Sequence, residues 1–154
     1  AAAAFGCGRR DRFDQDAGIA DIEATIRHIR AQMGVAKVGC VGYCLGGRLA
    51  FMTAARTDID ASVGYYGVGI DGLLGEKHGI TNPLMLHIPT ADGFVPPETQ
   101  KAMHEGLGDH PRVTLHDYEG LDHGFATETG QRRDEEAANL ADSRTAAFFA
   151  EHLG

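Results

Sequence analysis

Apolar residues along the chain recur in two alternating rhythms. Between residues 16 and 33, Ile19, Ile22, Ile26 and Ile29 stand three or four apart, Met33 follows, and Gly34 sits where a helix would stop. This is the pattern of an amphipathic helix packed on a sheet. Residues 38–41 are a short apolar run, which reads as a buried strand with Cys40 as an inert core thiol. The helix after it turns Leu45, Leu49 and Met52 inward. Strands are expected again over 61–66 (A-S-V-G-Y-Y) and 83–88 (P-L-M-L-H-I), joined by a glycine-rich connection over 67–82. Pro83 takes the first strand position, where a missing N–H does least harm, and His87 reads as a packed or edge-facing side chain. A helix opens at Pro96-Pro97-Glu98 and runs to about Leu107, and a fourth strand covers 112–118. The last helix spans 134–152, with Ala137, Leu140, Ala141, Phe148 and Leu153 as core candidates. Residues 1–14 show no usable periodicity and read as a lead-in or a cut edge.

Strands alternating with helices predict βαβ units: an α/β fold, a mainly parallel sheet with helices on both faces, and ligands beyond the carboxyl ends of the strands. Composition adds bounds. A chain of 154 residues, 43% hydrophobic and 23% charged, suits one globular domain over 1–154. The net charge of -8 argues against a nucleic-acid or anionic-membrane surface. No apolar run is long enough to span a bilayer, and no signal-peptide pattern is visible. Three cysteines, Cys7, Cys40 and Cys44, form neither a disulfide framework nor a zinc ribbon, so a reducing cytoplasm is expected.

The chemistry gathers at the strand-to-helix junction, where Gly42-Tyr43-Cys44-Leu45-Gly46 has the G-x-nucleophile-x-G frame of a nucleophile elbow. A Cβ at either flanking glycine is expected to collide at so sharp a turn. A cysteine at a helix N-terminus is also biased toward thiolate by unpaired N–H groups and the helix dipole. Taken alone, the pentapeptide equally fits a small buried apolar Cys44. Asp92 and His123 also follow strands, and the order nucleophile, acid, histidine is that of an elbow with its acid and base on later loops. Other cysteine chemistries fit less well. Arg48 would lie along the helix and not close an anion loop, no H-E-x-x-H or phosphate loop is present, and no His-x-Glu follows His123.

The motifs A-G-I-A-D-I-E-A-T-I-R (17–27), V-G-Y-C-L-G-G (41–47), V-G-Y-Y-G-V-G (63–69), D-G-F-V-P (92–96) and H-G-F-A (123–126) resemble the dienelactone hydrolase (carboxymethylenebutenolidase) family over about residues 17–153. The resemblance implies an α/β-hydrolase fold and a hydrolase cleaving a lactone or small ester, as in catechol breakdown, without metal or cofactor. It implies Cys44 as nucleophile, Asp92 as orienting acid and His123 as base. Leu45 N–H would serve the oxyanion, and Tyr65, Tyr66, Phe94 and Phe125 would lie near substrate. A general small-ester esterase and an inactive interaction module are the alternatives. Two departures stand out. The family's arginine after the histidine is replaced by Thr127, with Arg132 or Arg133 as substitutes. Nothing before Asp14 resembles the family's amino-terminal strands, which supply a second oxyanion donor. Only the carboxyl-terminal part of the fold is therefore expected, monomeric if complete and prone to association if truncated.

Overall fold

A computed structural model of the protein describes residues 12–154; Cys7 and most of the expected lead-in lie outside the described residues. Helix α1 (Gln15–Met33) starts where the Asp14 side chain accepts the Ala17 N–H at 3.0 Å and stops at Gly34, whose φ of 63° is left-handed. Then follow β1 (Gly39–Tyr43), α2 (Leu45–Arg56), β2 (Ala61–Tyr65), β3 (Leu84–Pro89), α3 (Pro97–Leu107), β4 (Val113–Tyr118) and α4 (Glu135–Leu153). The four strands are all parallel in the order β1-β2-β3-β4, with β1 and β4 at the two edges among the described residues.

Alternation along the strands divides the core in two. Leu84, Leu86 and Ile88 of β3 face Phe51 and Met52 of α2 and Met103 and Leu107 of α3. Val63 and Tyr65 of β2 and Met85 of β3 face Ala138, Ala141 and Phe148 of α4. The expected α/β arrangement, a parallel sheet with helices on both faces, is what these residues build. α2 lies close on β2 because Gly47 leaves no side chain there. A Cβ on Gly47 would stand 2.7 Å from Tyr65 O and 2.8 Å from Gly67 Cα.

Several details differ from the sequence reading. The glycine-rich connection contains a 3₁₀ helix (Ile70–Gly79) that buries Ile70 and Leu73. Its three-residue turn leaves no 3.6-residue rhythm to read. Met33, the last residue of α1, is 70% exposed, and Leu140 is 46% exposed on α4. Cys40 is half-buried on β1, an edge strand among the described residues, and its thiol lies 3.3 Å from Ser62 Oγ. His87 is packed: Nδ1 meets Tyr118 Oη at 2.7 Å and Nε2 meets Thr145 Oγ1 at 2.9 Å. Burial, with help from His116 and Arg144, pulls its pKa down to about 3.

Candidate active site

Cys44 stands between β1 and α2 with φ 58° and ψ -115°, a conformation that L residues rarely adopt. Its N–H donates to Tyr65 O at 3.0 Å, and its carbonyl accepts from Gly47 and Arg48, so the corner is held from both sides. Gly42 is obligatory: a Cβ there would come within 2.0 Å of Gly46 O. The matching expectation for Gly46 is corrected, because nothing lies within 4 Å of a Cβ at that position. The crowded partner is Gly47, one residue on. Leu45 opens α2, so its N–H is one of those that helix geometry leaves without an intrahelical acceptor. Arg48 does not close an anion loop. It turns to Gln15 Oε1 at 2.7 Å and to the Gly69 carbonyl, fastening α2 to the start of α1.

Asp92 follows β3 and His123 follows β4, and both are buried. Asp92 Oδ2 accepts from His123 Nδ1 at 3.0 Å, while Asp92 Oδ1 accepts the Phe94 N–H at 2.8 Å. The His123 ring also hydrogen-bonds the Cys44 side chain. Burial disfavours a charged ring, yet the hydrogen bonds to Asp92 and Cys44 and the charges behind them push the His123 pKa up to about 9. Thus the three side chains named from sequence order meet in one chain of contacts.

Cys44 and His123 open into a cavity of about 580 Å³ bordered also by Tyr43, Tyr66, Thr127 and Arg132. Tyr66 has φ 39°, held by its N–H to His87 O at 2.9 Å, and its ring lies 4.9 Å from that of His123. Burial, reinforced by Tyr43 and Cys44, pushes its phenol up to about 12. Phe94 is exposed, sets its ring edge-to-face on His123 at 4.8 Å, and borders a second hollow with Leu45 and Arg48. Tyr65 and Phe125, expected near substrate, are corrected: neither borders the cavity. Tyr65 is buried under α4 and bonds Asp142 Oδ1 at 2.8 Å and Thr145 Oγ1 at 2.7 Å. Phe125 is buried against Tyr118 and Tyr66. The two candidate cations also separate. Arg133 is engaged by Glu135 and by Thr127 O, whereas Arg132 is exposed at the cavity rim. Sequence reasoning missed Tyr43, whose place at the rim follows from its exposed position at the end of an edge strand. It also missed Asp122, whose Oδ1 accepts the Gly93 and His123 N–H groups at 3.0 and 2.6 Å. Among the described residues no three His, Cys, Asp or Glu side chains gather as a metal set, and no helix is long and apolar enough to cross a membrane.

A parallel sheet with a left-handed corner between strand and helix, and with Asp92 and His123 on the loops that follow later strands, is the fold of an α/β-hydrolase. A structure of a candidate dienelactone hydrolase from Klebsiella pneumoniae superposes with a TM-score of 0.82 at 23% identity, over 91% of this chain and 63% of that one. The dienelactone hydrolase family model matches residues 3–153, and the chain belongs to that family. A carboxymethylenebutenolidase of Pseudomonas putida is 42% identical over 139 residues, which cover 90% of this chain and 59% of that protein. A candidate carboxymethylenebutenolidase of Azospirillum brasilense is 54% identical over 110 residues, covering 71% of this chain and 48% of the relative. The chain thus spans about half to three-fifths of the length of these curated relatives.

Proposed function

We propose that the protein is a hydrolase of lactones or small carboxylic esters acting through a Cys44–His123–Asp92 triad and an acyl-cysteine. The observation that carries this is the contact chain itself: a cysteine on a left-handed corner, bonded to a buried histidine whose Nδ1 meets a buried carboxylate. With the proton resting on His123, Cys44 is poised as thiolate. Its sulfur attacks the carbonyl carbon, and the oxygen that gains the electron pair lies toward Leu45 N–H. As the tetrahedral adduct collapses, the ester or ring C–O bond breaks and His123 gives its proton to the departing alkoxide. Neutral His123, held in one tautomer by Asp92, then takes a proton from water that attacks the thioester, and the thiolate leaves with the carboxylic acid released.

The names of the relatives support a carboxylate-bearing lactone as the substrate class. Thr127 stands where an arginine is expected, and Arg132 is the cation that borders the cavity. The reading is tested by turnover of 4-nitrophenyl acetate. Cys44→Ala and His123→Ala should each remove nearly all of it, with the double variant little worse, because residues that act as a unit lose their effect together. Full additivity of the two losses would argue against a shared step.

A further inference from the structure

Asp92 and His123 leave the sheet from different strands, so their contact depends on how two loops are joined. Three links tie the earlier parts of these loops. Thr90 N–H donates to Tyr118 O at 3.0 Å, Ala91 N–H to Leu121 O at 2.9 Å, and Gly120 N–H to Thr90 Oγ1 at 2.8 Å. Beyond them, at the level of the triad, Asp122 Oδ1 meets both the Gly93 N–H and the His123 N–H. One oxygen therefore holds the residue that follows Asp92 and the histidine itself.

We propose that Asp122 is a positioning residue: its carboxylate clasps the two loops and sets the distance and angle of the Asp92–His123 hydrogen bond. The inference rests on the triad reading above. Asp122 does not border the cavity and touches neither Cys44 nor the space where substrate would react. Its chemistry suits a clasp, since an ionised carboxylate is acceptor-only and an exposed one keeps its charge at little cost. The two backbone N–H groups hold its carboxyl below the usual carboxylate range, so it stays ionised through the working pH. The leverage is geometric. A displacement of about 1 Å in a catalytic group can cost on the order of 10²-fold in rate, and without the clasp the hydrogen bonds that remain between the two loops, apart from that of Asp92 and His123 themselves, lie upstream of the triad.

The test compares Asp122→Asn, Asp122→Glu and Asp122→Ala in the 154-residue chain, with 4-nitrophenyl acetate turnover and the His123 ring titration followed by NMR. The groups facing His123 are Asp92, Cys44, Tyr66 and Asp122, with Arg132 nearby, so only Asp122 is varied. Asparagine keeps an acceptor oxygen at the same reach and should retain most of kcat. Glutamate keeps the charge but moves the oxygen by one methylene. Like alanine, it should lose roughly 10- to 100-fold in kcat with little change in KM. In both, the His123 titration should fall from near 9 toward 6.5, a shift that a merely structural role would not produce. Glutamate behaving as the parent while asparagine fails would overturn the clasp in favour of charge alone. So would alanine with unchanged kcat and titration. The NMR arm reads the clasp without turnover. If Cys44→Ala keeps full turnover, the functional reading fails separately.

Discussion

The His123 ring stands between the Asp92 carboxylate and the Cys44 sulfur, and with a pKa near 9 it carries a proton at neutral pH. A positive ring beside Cys44 favours thiolate. Alkylation of Cys44 by iodoacetamide should therefore remain fast at pH 6, and His123→Ala should return it to the profile of an ordinary thiol with a pKa of about 8.5. Cys40 should react slowly, because burial pushes its thiol up despite the Ser62 contact. Peptide mapping that finds Cys40 modified first would contradict this account. Arg132 offers a second residue-scale prediction. Losing a charge-assisted contact costs about 1.5–3 kcal/mol, so Arg132→Gln should raise KM for a carboxylate-bearing ester by roughly 10- to 100-fold. The neutral ester should be little affected, and Arg133→Gln should not discriminate. Equal effects on both esters would remove Arg132 from recognition. The elbow motif, the order of the three residues and the family resemblance single out Cys44, Asp92 and His123, and each of them follows a strand. Sequence could not separate Arg132 from Arg133, which adjoin in the chain and diverge only through Glu135 and Thr127 O.

Within the β1–α2–β2 unit, the glycines have different duties that the motif conceals. Gly46 has open space where a Cβ would go, and a glycine-to-alanine change inside a helix is worth about 1 kcal/mol. Gly46→Ala should leave the melting temperature unchanged or raised. Gly47→Ala should lower it, since backbone atoms of Tyr65 and Gly67 would have to move. Equal melting temperatures would contradict the close approach of α2 to β2. The four strands and four helices were legible because periods of 2 and 3.6 residues leave distinct patterns. The 3₁₀ helix was not, and Met33 and Leu140 keep an inward rhythm although both side chains are exposed. Tyr65 shows the same limit. It adjoins Tyr66 in the motif, yet the strand sends it under α4 while the left-handed turn brings Tyr66 to the cavity.

His87 makes stability respond to pH at the β3–β4–α4 contact. Its pKa is about 3 in the fold and 6.5 when unperturbed, so between those values the unfolded chain binds the proton and the folded one does not. The contribution is complete above pH 6.5 and lost progressively as pH falls toward 3, at up to about 1.4 kcal/mol per pH unit. Urea unfolding between pH 7 and 5 should show this slope, and His87→Gln should flatten it. An unchanged slope in the variant would assign the effect elsewhere.

At the scale of the whole molecule, the sheet has β1 at one edge among the described residues, with Val41 and Tyr43 exposed on it. An unpaired edge with apolar side chains templates association. The 154-residue chain should therefore form dimers or larger species as concentration rises, and Val41→Lys should weaken them. A concentration-independent monomer in sedimentation would show that the edge is protected. The same sheet brings the ends of β1, β3 and β4 together, and the proposed chemistry depends on that convergence. Its most direct test is to quench the protein with acid soon after mixing with 4-nitrophenyl acetate and locate the acetyl group by mass spectrometry. The account predicts an acetyl thioester on Cys44 alone, more persistent in His123→Ala because deacylation has lost its base. Release of nitrophenolate with no acetyl group on Cys44, or with the label on another side chain, would contradict it.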